Sequence, residues 1–537
     1  MGMTKLDPKT KWPVLVIAGL AVVCFCFFQL LYPYHFFFKG QNQLFLMSWQ
    51  YVATMFAKPA WVACTAGEFL TQLYYYNVAG AAILTASLTL LLWLTYQALK
   101  SLELKKLDKG FSMILAAGVA LREASCHLFY TYTLSSTIAL IGGLLMFLLL
   151  HKPMKLKWPF ALTAILLGTI LCYWMFGYGV WVFLLLSAII AWKVAVPVAI
   201  GFACLLPAVR AHYNLPFADL CQYPGIEKMH APDFNKETDL HMIHSYQTGD
   251  WDDVIKTAKA DPVLNSLTLG GKPMNLNMEQ SVSSTIRRFI YNLVQAQNGT
   301  LPNALLDYYP NSLGTFTSMI GTNIPPLMFM NLNEFYYAIG DISRAERGAF
   351  MACVSVPSNR NAYTVKRLAE CALIRNDKKA ADKFLGLLRQ TIPYREWAEN
   401  AANDERYKLK AKFINQQDTI SPSEDSHPIL TQLVKSNPQN EVALDYLLCS
   451  DLQKKDIDGF KRDYDTFCTN RPRIKKLYQE ALCIWLMKQQ ASEEEWQKYI
   501  KDPQMRTRLK DYMAESRSPR FADTYWFYFD VFNLEGN

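Results

Sequence analysis

The chain has 537 residues, 51% of them hydrophobic, and a formal net charge of +8. Residues 1–210 hold 15 Lys or Arg and five acids, giving +10, whereas residues 211–537 are slightly acidic at −2. The basic surplus lies between apolar runs, where it acts as a topology signal and argues against a nucleic-acid partner. The 12 cysteines show no CxxC spacing and no dense framework, which excludes a zinc-ribbon or redox-motif reading and leaves them as small core residues.

In chain order, the first apolar run covers 12–34, follows Lys5, Lys9 and Lys11, and ends in aromatics with no small-residue cleavage site. It is expected to be an uncleaved span with an aromatic belt. Further apolar runs at 79–99, 111–131, 134–150, 159–176, 178–192 and 194–209 bring the expected number of spans to about seven. The third is informative. "FSMILAAGVAL" alone rises about 17 Å, too little for a hydrocarbon core of about 30 Å. Extension through "REASCHLFYTY" reaches the needed length and puts the turn near 134–136. Arg122 and Glu123 then sit at membrane depth, with His127 one helical turn beyond Glu123. Gly177 and Gly179 allow a tight turn before the next pair of runs. Residues 178–210 would measure about 50 Å as one helix, so two short spans joined at Lys193 are expected.

With the N-terminus in the cytoplasm, eleven Lys residues fall in inner loops, against Lys39, Lys58 and Arg210 outside. This bias predicts a multi-pass protein of the plasma (inner) membrane with an extracytoplasmic C-terminal domain. The long external loop, 35–78, is rich in aromatics and holds two stretches suited to interfacial helices, broken at Lys58-Pro59. Glu68 is its only carboxylate, followed by Gln72.

These residues supply the candidate chemistry. Ionisable groups in a lipid-embedded bundle must face its interior, a cavity or one another. Arg122, Glu123 and His127 therefore form an ion pair that closes the bundle, part of a substrate or proton path, or, where the turn falls elsewhere, a group exposed outside. Glu68 and Glu123 are the candidate catalytic carboxylates, and Arg122, His127, Gln72 and His35 the candidate binding residues. No P-loop, GxSxG, HExxH or dinucleotide fingerprint occurs, and no cofactor is identified. His241 and His244, near Asp239, have helical metal-ligand spacing but lack a third committed ligand, so they read as polar surface and no metal site is assigned. Asn298-Gly299-Thr300 is a glycosylation acceptor only in a eukaryotic secretory context.

A linker is expected at 211–236 and a polar helical domain at 237–537. Helix–turn–helix pieces recur there, with turns at Gly249-Asp250, Gly340-Asp341, Asn376-Asp377 and near Lys454-Lys455, each followed by a capped helix. The middle two turns are 36 residues apart, close to the tetratricopeptide period of about 34. Residues 240–400 and 428–490 thus resemble a tetratricopeptide-like α-solenoid, which implies a concave surface for a partner. The expected fold class is all-α: a polytopic transmembrane bundle followed by this solenoid.

The "QNQLFLMSWQYV" and "GEFLTQLYYYN" loop, followed by spans and helical repeats, resembles an uncharacterised family of bacterial integral membrane proteins. The layout is also similar to the GT-C glycosyltransferases, in which an acid of the first external loop commonly serves as base or metal ligand. That resemblance implies Glu68, although Glu68 lies late in the loop and "HFFFKGQNQ", just after the first span, has no acid. Two functions follow as expectations. One is a scaffold or assembly protein, embedded in membrane lipid, that presents its helical domain to an envelope protein. The other is a transferase acting on a lipid-linked sugar.

Overall fold

The computed structural model describes residues 8–103, 108–129, 131–213, 215–225, 236–268, 276–308, 326–355, 360–412, 426–469 and 475–531. Among these every regular element is a helix and no strand occurs. Much of the expected linker, together with Lys5, Lys105 and Lys106, lies outside them. The chain forms two compact units: Met1–Glu237 with Arg360–Tyr363 and Leu385–Ala401, and the remainder from Thr238.

In the first unit, helix α1 (Pro8–Leu31) runs until Pro33 opens the short α2 (Pro33–Gln41). Proline suits a helix start because its missing N–H would be unpaired there anyway. Two further short helices, α3 (Trp49–Met55) and α4 (Trp61–Thr71), occupy the long loop. Then come α5 (Ala79–Ser101), α6 (Lys109–Cys126), α7 (Leu134–Met154), α8 (Trp158–Phe176), α9 (Gly179–Tyr213) and the short α10 (Phe217–Gln222). Five of these helices, α1, α5, α7, α8 and α9, are long and apolar enough to cross a membrane. Val14, Leu15, Val22, Val23 and Leu30 of α1 leave more than half of their surface exposed. So large an apolar face suits acyl chains as its solvent.

Helix α6 stops at Cys126, short of the 131 expected from its apolar run. Beyond it the chain tightens into three-residue turns, with Leu128 N–H on the Ser125 oxygen and Phe129 N–H on the Cys126 oxygen, and the His127 carbonyl accepts from His35 and Lys39. Helix α8 ends at Gly177, whose φ of +55° is left-handed. Beyond it α9 runs for 35 residues with a break at Ala191 (φ −136°, ψ 56°). A straight helix would separate Trp181 and Phe202 by about 31 Å. Their ring centroids are 5.6 Å apart, so the chain reverses at the break. Close packing of α7 on α9 depends on missing side chains: a Cβ on Gly143 would lie 2.2 Å from the Gly179 carbonyl oxygen.

The second unit is built from helical hairpins with one recurring turn. Gly249, Gly340, Asn376 and Lys455 all have positive φ, between 56° and 86°. Each is followed by an Asp whose N–H bonds the carbonyl five residues back: 250 to 245, 341 to 336, 377 to 372 and 456 to 451. The same Asp side chain then accepts from the N–H three residues on, at Asp253, Arg344, Ala380 and Gly459. A left-handed residue thus closes one helix and the next residue caps the following one. Gly299 with Thr300, and Gln490 with Ala491, close their helices by the same backbone pattern.

This turn is open to direct measurement through the melting midpoint of the detergent-solubilised chain. Asp456→Ala removes a cap and is expected to cost about 1 kcal/mol. Gln490→Gly relieves a left-handed side chain and is expected to stabilise by up to about 1 kcal/mol. A fall in the second case would mean that the φ of Gln490 carries no strain.

Candidate functional site

The first unit holds two polar groups, both built around the first turn of α7. The more deeply buried one begins at α2. Pro33 leaves Tyr34 and His35 as the first free N–H groups, and both donate to Glu237 Oε1, at 2.7 and 3.3 Å. A carboxylate there meets the positive end of the helix. Burial pushes the Glu237 carboxyl up to about 7, opposed by those two hydrogen bonds.

His35 and Lys39, four residues apart, share one face of α2 and are both buried. His35 Nε2 lies 2.9 Å from the backbone oxygen of His127, and Lys39 Nζ donates to the same oxygen at 3.2 Å. A carbonyl only accepts, so His35 carries its proton on Nε2. Burial first, then the Lys39 charge, holds the His35 imidazole well below its usual range; burial takes Lys39 down to about 7.

From His127 the chain of bonds runs onward. Its Nε2 lies 2.7 Å from Thr137 Oγ1, and Thr137 donates to Glu123 Oε1 at 2.7 Å. Tyr132 donates to the same carboxylate oxygen at 2.7 Å. Because the single threonine proton goes to Glu123, His127 must donate through Nε2. All the protons therefore point toward Glu123, which has no exposed surface. Its Oε2 receives no hydrogen bond among the described residues and has Arg122 Nη1 at 3.5 Å. Arg122 itself is 67% exposed and stands outside the buried group.

The second group centres on Glu68 of α4. Tyr51 donates to Glu68 Oε2 at 2.5 Å, and Arg360 Nη1 donates to the Tyr51 hydroxyl at 2.6 Å and lies 3.9 Å from the same carboxylate. The guanidinium also stacks over the Tyr51 ring at 5.0 Å. Burial raises the Glu68 carboxyl, while Tyr51, Arg360 and Lys58 pull it back. Unlike Glu123, Glu68 remains about one-third exposed, at 29%. Next to it, Gly67 is pressed on Ser135, and a Cβ there would lie 2.7 Å from the Ser135 Cα. Helix α4 therefore packs on the first turn of α7, two residues before Thr137. Gln72 faces elsewhere: its Oε1 accepts from the Ile392 N–H at 3.2 Å, and its Nε2 is buried without a partner.

The structure thus joins His35, His127 and Glu123 in one network, puts Glu68 in a second, and leaves Arg122 and Gln72 at their edges. Sequence reasoning missed Lys39, Tyr51, Thr137, Tyr132, Glu237 and Arg360. Thr137 and Tyr132 were within reach, since they flank the turn beside Glu123. Glu237 and Arg360 lie 202 and 309 residues from their partners and leave no periodic signal. In the second unit His241 pairs with Asp253 at 2.6 Å, whereas Asp239 binds Arg287 at 2.5 Å.

An all-helical protein with five helices suited to crossing a membrane, and a buried network of polar side chains that joins α2, α6 and α7, defines the class. The chain belongs to the family of unknown function DUF6057, whose model matches residues 9–531. No curated protein and no solved structure matches it.

Two predictions follow from the buried group. Glu123→Ala strips Tyr132 and Thr137 of their acceptor and is expected to cost on the order of 2–5 kcal/mol, whereas Glu123→Gln keeps an acceptor oxygen and costs less. Thermal size-exclusion midpoints of the three proteins decide it, and equal midpoints would remove the network's structural role. For Glu237 the sign follows from linkage. Its folded pKa of about 7 exceeds the unfolded value, so the folded state retains a proton that the unfolded state releases. Its contribution is therefore lost as pH rises toward 7. Glu237→Gln should melt above the parent at pH 8 and together with it at about pH 4.5.

Proposed function

We propose that the protein is a seven-span membrane scaffold of the bacterial inner membrane, with its helical-hairpin region outside the cytoplasm, where it binds envelope proteins or peptides. Five apolar helices support the membrane reading, the reversal within α9 supports two passes there, and α6 with its buried Glu123 supports the seventh. The recurring turns of the second unit support a tetratricopeptide-like array, whose stacked hairpins leave a partner-binding face.

One observation carries the sidedness. Two segments of the C-terminal region belong to the first unit and bond to the long loop. Asn361 donates to Asn42 at 2.8 Å, Ala362 N–H to the Gln43 oxygen at 3.2 Å, and Met47 N–H to the Gln390 oxygen at 2.7 Å. A loop and a chain segment bonded to each other lie on one side of a bilayer. The distribution of Lys and Arg makes that side the outer one.

A second reading is favoured by the Glu68–Tyr51–Arg360 group: a transferase of GT-C-like layout acting on a lipid-linked sugar at the outer face. Glu68 is partly exposed and held in a raised-pKa setting, as a general base requires. Arg360 beside it suits a phosphate.

Periplasm-active and cytoplasm-active reporters fused after residue 537 test the topology; periplasmic activity is expected, and cytoplasmic activity would overturn the external scaffold. Glu68→Gln separates the readings. Under the scaffold reading, crosslinked envelope partners are recovered as with the parent chain. Loss of a lipid-linked sugar-transfer activity in membranes of this variant, with the protein still folded, would favour the transferase.

A further inference from the structure

Away from the membrane unit, three helices of the second unit bring together a group that neither reading uses. They are Ser426–Ser436, Glu441–Gln453 and Ile457–Cys468, and they carry His427, Asp451 and Asp463. His427 Nε2 lies 2.8 Å from Asp463 Oδ2 and 3.5 Å from Asp451 Oδ1. One donor atom from each residue falls within 4.8 Å of the other two.

Two features distinguish this group from a surface ion pair. Asp451 is 2% exposed and points one carboxylate oxygen at the imidazole, while its Oδ2 receives no hydrogen bond among the described residues. A buried acceptor without a donor is costly, and native structures rarely keep one without an ion, a water or a role. Two largely buried carboxylates face one imidazole; among the described residues Arg462 Nε lies 3.5 Å from the other oxygen of Asp463, at the surface, and the Lys454 charge also acts on Asp451.

We propose that His427, Asp451 and Asp463 form a binding site for a divalent transition-metal ion of the Zn2+ type. Ligand bonds of about 2.0–2.2 Å in tetrahedral geometry hold donors about 3.3–3.5 Å apart, so the spacings here, none above 4.8 Å, need shifts of up to about 1.5 Å. One imidazole with two carboxylates selects zinc-like ions over Mg2+ or Ca2+, which prefer all-oxygen sets. His427 is 27% exposed, which leaves an open side for a water as fourth ligand. Binding through Nε2 leaves the imidazole proton on Nδ1: a neutral ring moves its proton there from Nε2 with no net release, and an imidazolium gives one proton to solvent. An ion would tie together three consecutive helices, two of them the arms of the hairpin that turns at Lys455-Asp456.

The test uses the full chain in detergent, stripped with a chelator and titrated with ZnCl2 alone, beside His427→Ala and Asp451→Asn. Bound zinc is counted after gel filtration, and affinity is measured by calorimetry. The parent chain is expected to hold a zinc that both variants lack, with affinity weakened roughly 100-fold or more in His427→Ala. It should melt several degrees higher with zinc than without. No uptake by the parent, or equal uptake by all three as His241 and His244 alone would give, overturns the site. Zinc uptake by the parent is read without reference to the variants, so a variant that fails to fold leaves the first outcome decisive.

Discussion

A carboxylate with no exposed surface has to be answered inside an apolar bundle, and in the first unit that carboxylate is Glu123. Burying such a group is tolerable only with close donors. Tyr132 and Thr137 provide them from either side of the turn between α6 and α7, which sets the path of that turn. The same turn frees the His127 carbonyl, and that carbonyl seats α2 through His35 and Lys39. Glu237 then satisfies the start of α2. Helices α2, α6 and α7 and the segment that carries Glu237 are thus positioned by linked hydrogen bonds that end on two acids, Glu123 and Glu237.

The Glu68 group rests on different physics. Its members are partly exposed, and an exposed ion pair contributes about 1 kcal/mol at most. What holds the loop is backbone bonding to the two returning segments, together with the close approach of Gly67 to Ser135. Glu68 is left with spare exposure and a polar setting. Glu123 is sealed and its Oε1 is satisfied twice. The two carboxylates that look equivalent as candidates in the sequence are therefore unlike: one is sealed within the bundle, and the other keeps part of its surface exposed.

In the second unit, repetition is a local matter. A left-handed residue followed by Asp ends one helix and caps the next, whichever helices follow. Gly, Asn and Lys all occupy the first position because the turn needs positive φ and tolerates a side chain at modest cost. Stacking of the hairpins is set by apolar faces, with Phe335 on Tyr446 at 5.0 Å as one such contact.

What the sequence determined by itself was local. Apolar runs located the helices of the first unit, glycine marked the turn at Gly177, and Asp after Gly or Asn marked three hairpin turns. Lengths alone argued that residues 178–210 must break, and the chain breaks at Ala191, two residues from the expected Lys193. The periodicities behind these readings span a few residues, so composition carries them. Tertiary structure decided the rest: which ionisable groups meet, which are sealed, and where α6 ends. Tyr51 meets Arg360 across 309 residues and Tyr34 meets Glu237 across 203, and no period of 3.6 encodes such a pairing. Burial of a charge is likewise a property of neighbours, which only the folded chain supplies.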